Sequence, residues 1–428
     1  MTIALAACGN GEATAPPEPH PLCERRPDLC PEEAPTSPTQ TPMMVVAPSS
    51  ALPPEVSSQV AHNNLDVAWH DAPDEVEADG RGRLFFAFRT APNHFASSEV
   101  VMWIVSTPDL ATWRYEGQVA IHTDVREPQL VSHKGKLLFY FTELGSDMLD
   151  FTPRGTRVME WLGPGHMTEP EPIFEPGFLV WRIKAMARPG EEPGAWLYAF
   201  GYDGGENVYE VDGEPIRVRW IRSSDGRAWE PVDAAHPIVL EGGASETDAV
   251  FLDDGRLVAV ARNEAGDQTG FGSKICRAEA DAVGAWTCVH DPRKYDSPLV
   301  FRSGDGGSSS DVWLVARRNV TETGHYDLGR DDLPMSQRYV AYQSDYWIKP
   351  KRCALWRVDP EALAVSFVMD LPSRGDTCFP EAITLAPGRE LVFNYTSPIP
   401  ADPEAPDIDW ITGQTEPTII YWTVLGLP

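Results

Sequence analysis

What this chain lacks narrows it first. No apolar run approaches the roughly 18 residues that a membrane-crossing helix requires, so nothing in the sequence reads as a membrane span. Basic residues are scarce: 35 Lys and Arg face 64 Asp and Glu, and a net charge of -29 repels a nucleic-acid backbone or an acidic lipid surface. Nucleic acid is therefore not an expected partner. No segment sustains a 3.6-residue apolar period between helix caps, which excludes a helical bundle. No Cys-x-x-Cys pair or nearby His cluster has zinc spacing, so no metal and no cofactor is expected.

What is present is a repeated hairpin. Ser245 to Asp267 shows it most clearly: an apolar run from Ala249 to Leu252, a tight Asp253-Asp254-Gly255 turn, then a second run from Leu257 to Ala261. Further copies are Val76 to Gly82 with Leu84 to Arg89, Arg126 to Val131 with Leu137 to Phe141, and Ile183 to Ala187 with Trp196 to Phe200. The last two are Ser297 to Phe301 with Val312 to Arg317, and Phe379 to Leu385 with Leu391 to Tyr395. Repetition every 50 to 80 residues or so predicts an all-β, six-bladed β-propeller over residues 65–428. The sixth repeat is one strand short at its end. A closed propeller needs that strand, and the segment ahead of the first blade, at Val56 to Val60, is expected to supply it.

The first residues end in Leu5-Ala6-Ala7-Cys8, which resembles a lipoprotein signal in which Cys8 carries the lipid. That predicts an exported chain, lipid-anchored to a bacterial envelope or secreted, and a Pro-, Thr- and Ser-rich tether over residues 9–64 that is disordered. The cysteines agree with export. Apart from Cys8 there are Cys23, Cys30, Cys276, Cys288, Cys353 and Cys378, whose even number suits disulfides although the sequence does not choose the connectivity. Cys276 and Cys288 flank a hairpin and are expected to bridge; Cys23 with Cys30 would close a small loop.

Two outer turns, Ser106 to Trp113 around Asp109 and Ser223 to Trp229 around Asp225, resemble the Asp-box, or BNR repeat, of sialidase-like propellers. If they share a face with the Asp-Gly turns, the starts of the inner strands and the ends of the second strands occupy the opposite face. Charge collects there. Arg89, Arg262 and Arg317 all end second strands and are expected to converge, resembling the arginine triad of sialidases, and Glu246 matches the place of the glutamate that polarises a tyrosine nucleophile in that family. Arg126-Glu127-Pro128 also resembles the R-D-P phrase of arabinanase- and fructosidase-like propellers, which implies an acidic trio of Asp71, Glu127 and Glu246.

The sequence therefore predicts a glycoside hydrolase acting on a carbohydrate through Glu246, Glu127 and Asp71, since glycoside cleavage needs paired carboxyls. Glu246 beside Arg262 is expected to stay ionised, and Glu127 to serve as the acid. Arg89, His94, Arg126, Arg182, Asp248, Arg262, Glu264, Arg317, Asp376, Glu381 and Tyr395 are the expected binding residues. A non-catalytic carbohydrate- or protein-binding surface propeller is the rival expectation, and a monomer is expected in either case.

Overall fold

Short segments rich in Val, Ile, Phe and Tyr, broken by Gly and Asp turns, dictate hairpins rather than helices. The computed structural model describes residues 19–428 except 32, 34, 57–58, 72–81, 148–151, 205–213, 304–310 and 403. Strands take 48% and helices 7%, and six antiparallel sheets in chain order make a six-bladed β-propeller.

Blade one is Ala61–His70, Arg83–Ala91, Val101–Thr107 and Arg114–Val119. Blade two is Val125–His133, Lys136–Glu143 and Gly155–Gly163, with His166–Met167 and Glu171–Pro172 sharing its outer position; blade three is Leu179–Lys184, Leu197–Asp203 and Ile216–Ser223, edged by Glu230–Pro231 and Leu240–Gly242. Blade four is Ala244–Phe251, Leu257–Asn263, Ser273–Ala278 and Thr287–Asp291. Blade five is Asp296–Arg302, Val312–Asn319, Lys351–Asp359 and Ala364–Asp370. The second strands are almost wholly buried on both faces, which explains their near-continuous apolar runs.

Blade six closes the ring. Its strands Glu381–Ala386, Arg389–Thr396 and Ile419–Gly426 are completed by Thr39–Gln40 and Met44–Ala47, both antiparallel to the third strand. The closing strand thus comes from ahead of blade one, as the sequence predicts, but from an earlier stretch than Val56 to Val60, of which 57–58 lie outside the described residues and the rest is not strand; Met44-Val45-Val46-Ala47 buries Val46 and Ala47 against the sheet. Likewise, the inner strand of blade one is Ala61–His70, not Val76 to Gly82, of which 76–81 lie outside the described residues.

The stretch read as a tether is largely packed from residue 19 on. Helix α1, Pro21–Arg25, buries Leu22; Leu29 follows, Cys23 is bonded to Cys30, and Arg25 Nη1 donates to Gly82 O at 3.0 Å and Pro108 O at 3.1 Å. Cys8 lies outside the described residues. Cys276 and Cys288 face each other on neighbouring strands of blade four, with Cα atoms 4.0 Å apart, and Cys353–Cys378 ties blade five to the start of blade six. Two helices interrupt the strands: α2, Met335–Trp347, inserted in blade five, and α3, Trp410–Thr415, inserted in blade six.

Candidate functional site

The starts of the inner strands are irregular in the same way around the ring. Register slips between Asn63 and Leu65, Arg126 and Gln129, Val180 and Arg182, Ala244 and Thr247, and Asp296 and Leu299, one bulge per blade in blades one to five. Such a bulge re-aims a side chain that would otherwise lie in the pleat. In three of these bulges a residue other than glycine sits in the left-handed region, Asn64 at φ 40°, Glu127 at 50° and Ser297 at 53°, and Cys378 at 82° holds the corresponding place in blade six. L-residues adopt that conformation at a cost and keep it where the surroundings impose it.

Further along the inner strands, and so deeper, a polar belt ties the blades together. Asp66 accepts from Leu130 N, Gln129 Oε1 from Ile183 N at 2.9 Å, and Asp248 from Lys184 Nζ and Val300 N, both at 2.6 Å. Across the axis, Arg182 of blade three bonds Glu381 of blade six and donates to Pro380 O at 2.6 Å. Arg182, Asp248 and Glu381, read from sequence as binding residues, are therefore engaged in closing the ring.

Above the belt the charged groups gather. Arg262, ending the second strand of blade four, pairs with Glu246 and Glu264 and reaches Asp296 with Nε at 3.2 Å. Arg317, the same position in blade five, reaches the other oxygen of Asp296 at 3.3 Å and donates through Nε to Thr377 O at 2.7 Å. Two of the three expected arginines thus meet on one carboxylate. Glu246 also accepts from Ser297 N at 2.7 Å. On the blade-six side, Asp376 takes bonds from His94 Nδ1 at 2.5 Å, the Tyr395 hydroxyl at 2.9 Å and Trp410 Nε1 at 3.2 Å, and Arg126 donates to Asp124 at 2.7 Å and His94 O at 2.6 Å.

Electrostatics separates these carboxyls. Burial opposes ionisation of Asp296, but Lys294, Arg262 and Arg317 outweigh it and hold the group below its usual range; Arg262 and Lys294 do the same for Glu264, and His94 and Arg317 for Asp376. Glu246 is not held in that way. Burial raises it, with Asp296 adding to the rise, and Arg262 offsets only part, contrary to the expectation of a firmly ionised group. Glu127 is raised as well, to about 8, first by burial and then by the nearby charge of Glu246. It is partly exposed, yet its Oε2 is buried without a hydrogen-bond partner. At neutral pH the Glu127 carboxyl keeps its proton.

Two expected residues are placed elsewhere. Asp71 follows the last residue of the inner strand of blade one and so stands at the opposite end of the propeller, where Oδ1 accepts from Trp69 Nε1 at 2.7 Å and Gly82 N at 2.8 Å. The strand starts earlier than its apolar run shows, which moves Asp71 from its start to its end. Arg89 ends its strand as expected but is wholly buried, its guanidinium donating to Asp124 at 2.9 Å, Asn63 at 3.1 Å and Phe95 O at 3.0 Å. It presents no donor to the site. Sequence reasoning also missed Lys294, buried between Glu264 at 3.4 Å and Asp296 at 3.8 Å, and the helical contributors Gln343 and Tyr346. The two helical residues left only a short signal, since Tyr339, Tyr342, Gln343 and Tyr346 stand at helical spacing over too few turns to make a sustained period.

Comparisons place this geometry among solved folds. A crystal structure of a protein of unknown function from Dyadobacter fermentans superposes with a TM-score of 0.57 at 14% identity, over 92% of this chain and all of the other. A mutant α-L-arabinofuranosidase of Fusarium graminearum in complex with an iminosugar inhibitor gives 0.51 at 12% identity, over 90% and 97%. Trypanosoma rangeli sialidase in complex with sialic acid gives 0.51 at 12%, over 92% of this chain and 59% of its own. The likeness is one of fold. No protein-family model matches the chain, and neither does any curated protein sequence.

Proposed function

We propose that this propeller is an exported glycoside hydrolase acting on a neutral sugar, with Glu127 as general acid and Glu246 as base or nucleophile. The observation that carries the reading is the contrast between these two neighbouring carboxyls. Glu127 has no bonded cation and is raised to about 8, whereas Glu246 is gripped by Arg262 and the Ser297 amide. Two titratable groups held in different environments are what an acid and its partner require. Both superposed hydrolases, named for arabinofuranosides and for sialic acid, share the fold, and they supply the substrates to try first.

Charge favours the neutral substrate. Arg89 is sealed on Asp124, Arg262 is shared among Glu246, Glu264 and Asp296, and Arg317 spends its donors on Asp296 and two backbone carbonyls. No guanidinium of the expected triad is left over for a ligand carboxylate, so the likeness to sialidases stops at architecture. The turns around Asp109 and Asp225 support membership of the Asp-box architecture: each aspartate accepts two successive backbone amides, Ala111 and Thr112 in one and Arg227 and Ala228 in the other. Three disulfides support an oxidising compartment, and a lipid anchor at Cys8 belongs to the same reading through its Leu5-Cys8 motif.

The test is a screen of chromogenic glycosides that includes p-nitrophenyl α-L-arabinofuranoside and a sialoside. Release from a neutral glycoside that Glu127→Gln abolishes is the expected result. Binding of the same sugars without turnover in the wild type would instead establish a carbohydrate-binding propeller.

A further inference from the structure

The bulges that open the inner strands hold polar atoms that nothing satisfies. Among the described residues, Asn63 Nδ2, Asn64 Oδ1, Glu127 Oε2 and Ser245 Oγ are buried without a hydrogen-bond partner, and they lie at the register slips of blades one, two and four. A buried polar atom left unpaired costs stability, so each one calls for a reason. Asn64 is the extreme case. It is 4% exposed, its Nδ2 makes no hydrogen bond among the described residues either, and its backbone stands in the left-handed region at φ 40°.

Bonds on either side of it place Asn64 beside Glu127. Asn63 Oδ1 accepts from Arg89 Nη1 at 3.1 Å, Arg89 Nε donates to Asp124 at 2.9 Å, and the other oxygen of Asp124 accepts from Arg126 at 2.7 Å. On the far side, Asp66 accepts from Leu130 N. The residues flanking the two bulges are thus linked across blades one and two. Of the four left-handed residues at these strand starts, Cys378 is held by its disulfide and Ser297 by the hydrogen bond from its backbone N to Glu246 at 2.7 Å. Asn64 and Glu127 are the two with a buried, unpartnered side-chain oxygen.

We propose that Asn64 is a substrate-binding residue whose side-chain amide hydrogen-bonds a hydroxyl of the sugar held against Glu127. The proposal rests on the reading of this site as one for neutral sugars. A hydroxyl both donates and accepts, and a carboxamide offers a group of each kind without carrying charge. Asparagine tolerates left-handed torsions better than most residues, so the backbone alone accounts for the residue type. It does not account for an amide that is buried and unbonded, which a ligand hydroxyl would pair.

Isothermal titration calorimetry with arabinobiose, xylobiose and lactose, in a Glu127→Gln background that prevents turnover, tests the proposal alongside thermal melting of the same proteins. Asn64→Gly removes the amide and suits the left-handed torsion at least as well as asparagine does. The expected result is a melting temperature equal to or above the parent's, with the parent's sugar bound at least about tenfold more weakly, a difference of about 1.4 kcal/mol. Equal binding by the parent and Asn64→Gly overturns the proposal and leaves the residue a backbone role. Weaker binding with a lower melting temperature also overturns it, because the amide then belongs to the fold. A parent that takes none of the three sugars overturns the neutral-sugar reading itself, and the role of Asn64 with it.

Discussion

Glu127 shows how one backbone torsion and one missing partner define a residue's chemistry. Glu127 sits in a left-handed bulge, and burial, with the charge of Glu246 adding to it, raises its carboxyl from an ordinary 4.5 to about 8. An acid catalyst must carry its proton, so activity should fall as pH rises through about 8, and Glu127→Gln should lower turnover by about 10²- to 10⁴-fold with sugar binding retained. Stability gives an independent check. A carboxyl raised on folding binds its proton more tightly in the native state, so it costs stability progressively as pH climbs from about 4.5 to about 8. Glu127→Gln should therefore raise the melting temperature more at pH 9 than at pH 5. An equal effect at both pH values would show that the wild-type group is not perturbed.

Arg262 is the complementary case. It neutralises Glu246, Glu264 and Asp296 together, and removing one partner from a buried ionic cluster costs about 3–5 kcal/mol. Arg262→Ala should show a loss of that order in denaturant unfolding at pH 7. The deficit should shrink toward pH 4, where the stranded carboxylates can take up protons.

At the scale of elements, the insertions earn their length by what they hold in place. Helix α2 has no side-chain cap at its N-terminus, so its stability must come from contacts beneath it. Tyr342 and Tyr346 pack with Phe271 and Tyr326, and Lys351 Nζ donates to the carbonyls of Tyr346 and Lys349 at the helix end. Tyr346→Phe removes only the hydroxyl that donates to Asp296 at 2.6 Å, a bond to a charged acceptor. The expected loss is about 1.5–3 kcal/mol by equilibrium unfolding, with an unchanged circular dichroism spectrum. Stability equal to the wild type would mean that this contact does not hold the helix down.

For the whole molecule, closure is decided by residues far from the rest of their blade. Met44–Ala47 pairs with the third strand of blade six near Ile420 to Trp422, and without it that strand becomes an exposed edge. A chain beginning at residue 19 should melt like the full-length protein. One beginning at residue 49 should melt lower and elute as aggregates on size exclusion. Equal melting of the two would remove the closing strand from the account.

The sequence by itself determined the hairpin repeat, the blade number, the Cys276–Cys288 bridge and the grouping of Glu127, Glu246, Arg262, Glu264 and Arg317 on one face. These follow from period-two patterning and strand direction, which are local. Tertiary structure decided what depends on register or on long-range packing. It moved Asp71 to the far end, because the polar start of its strand, His62-Asn63-Asn64, carries no apolar signal. It sealed Arg89 under Asp124 and spent Arg182, Asp248 and Glu381 on the belt, although every one of them reads as a free charge in a linear chain. Tertiary structure also raised Glu127, since burial and the approach of a second carboxyl come from blades two and four meeting across more than a hundred residues of sequence.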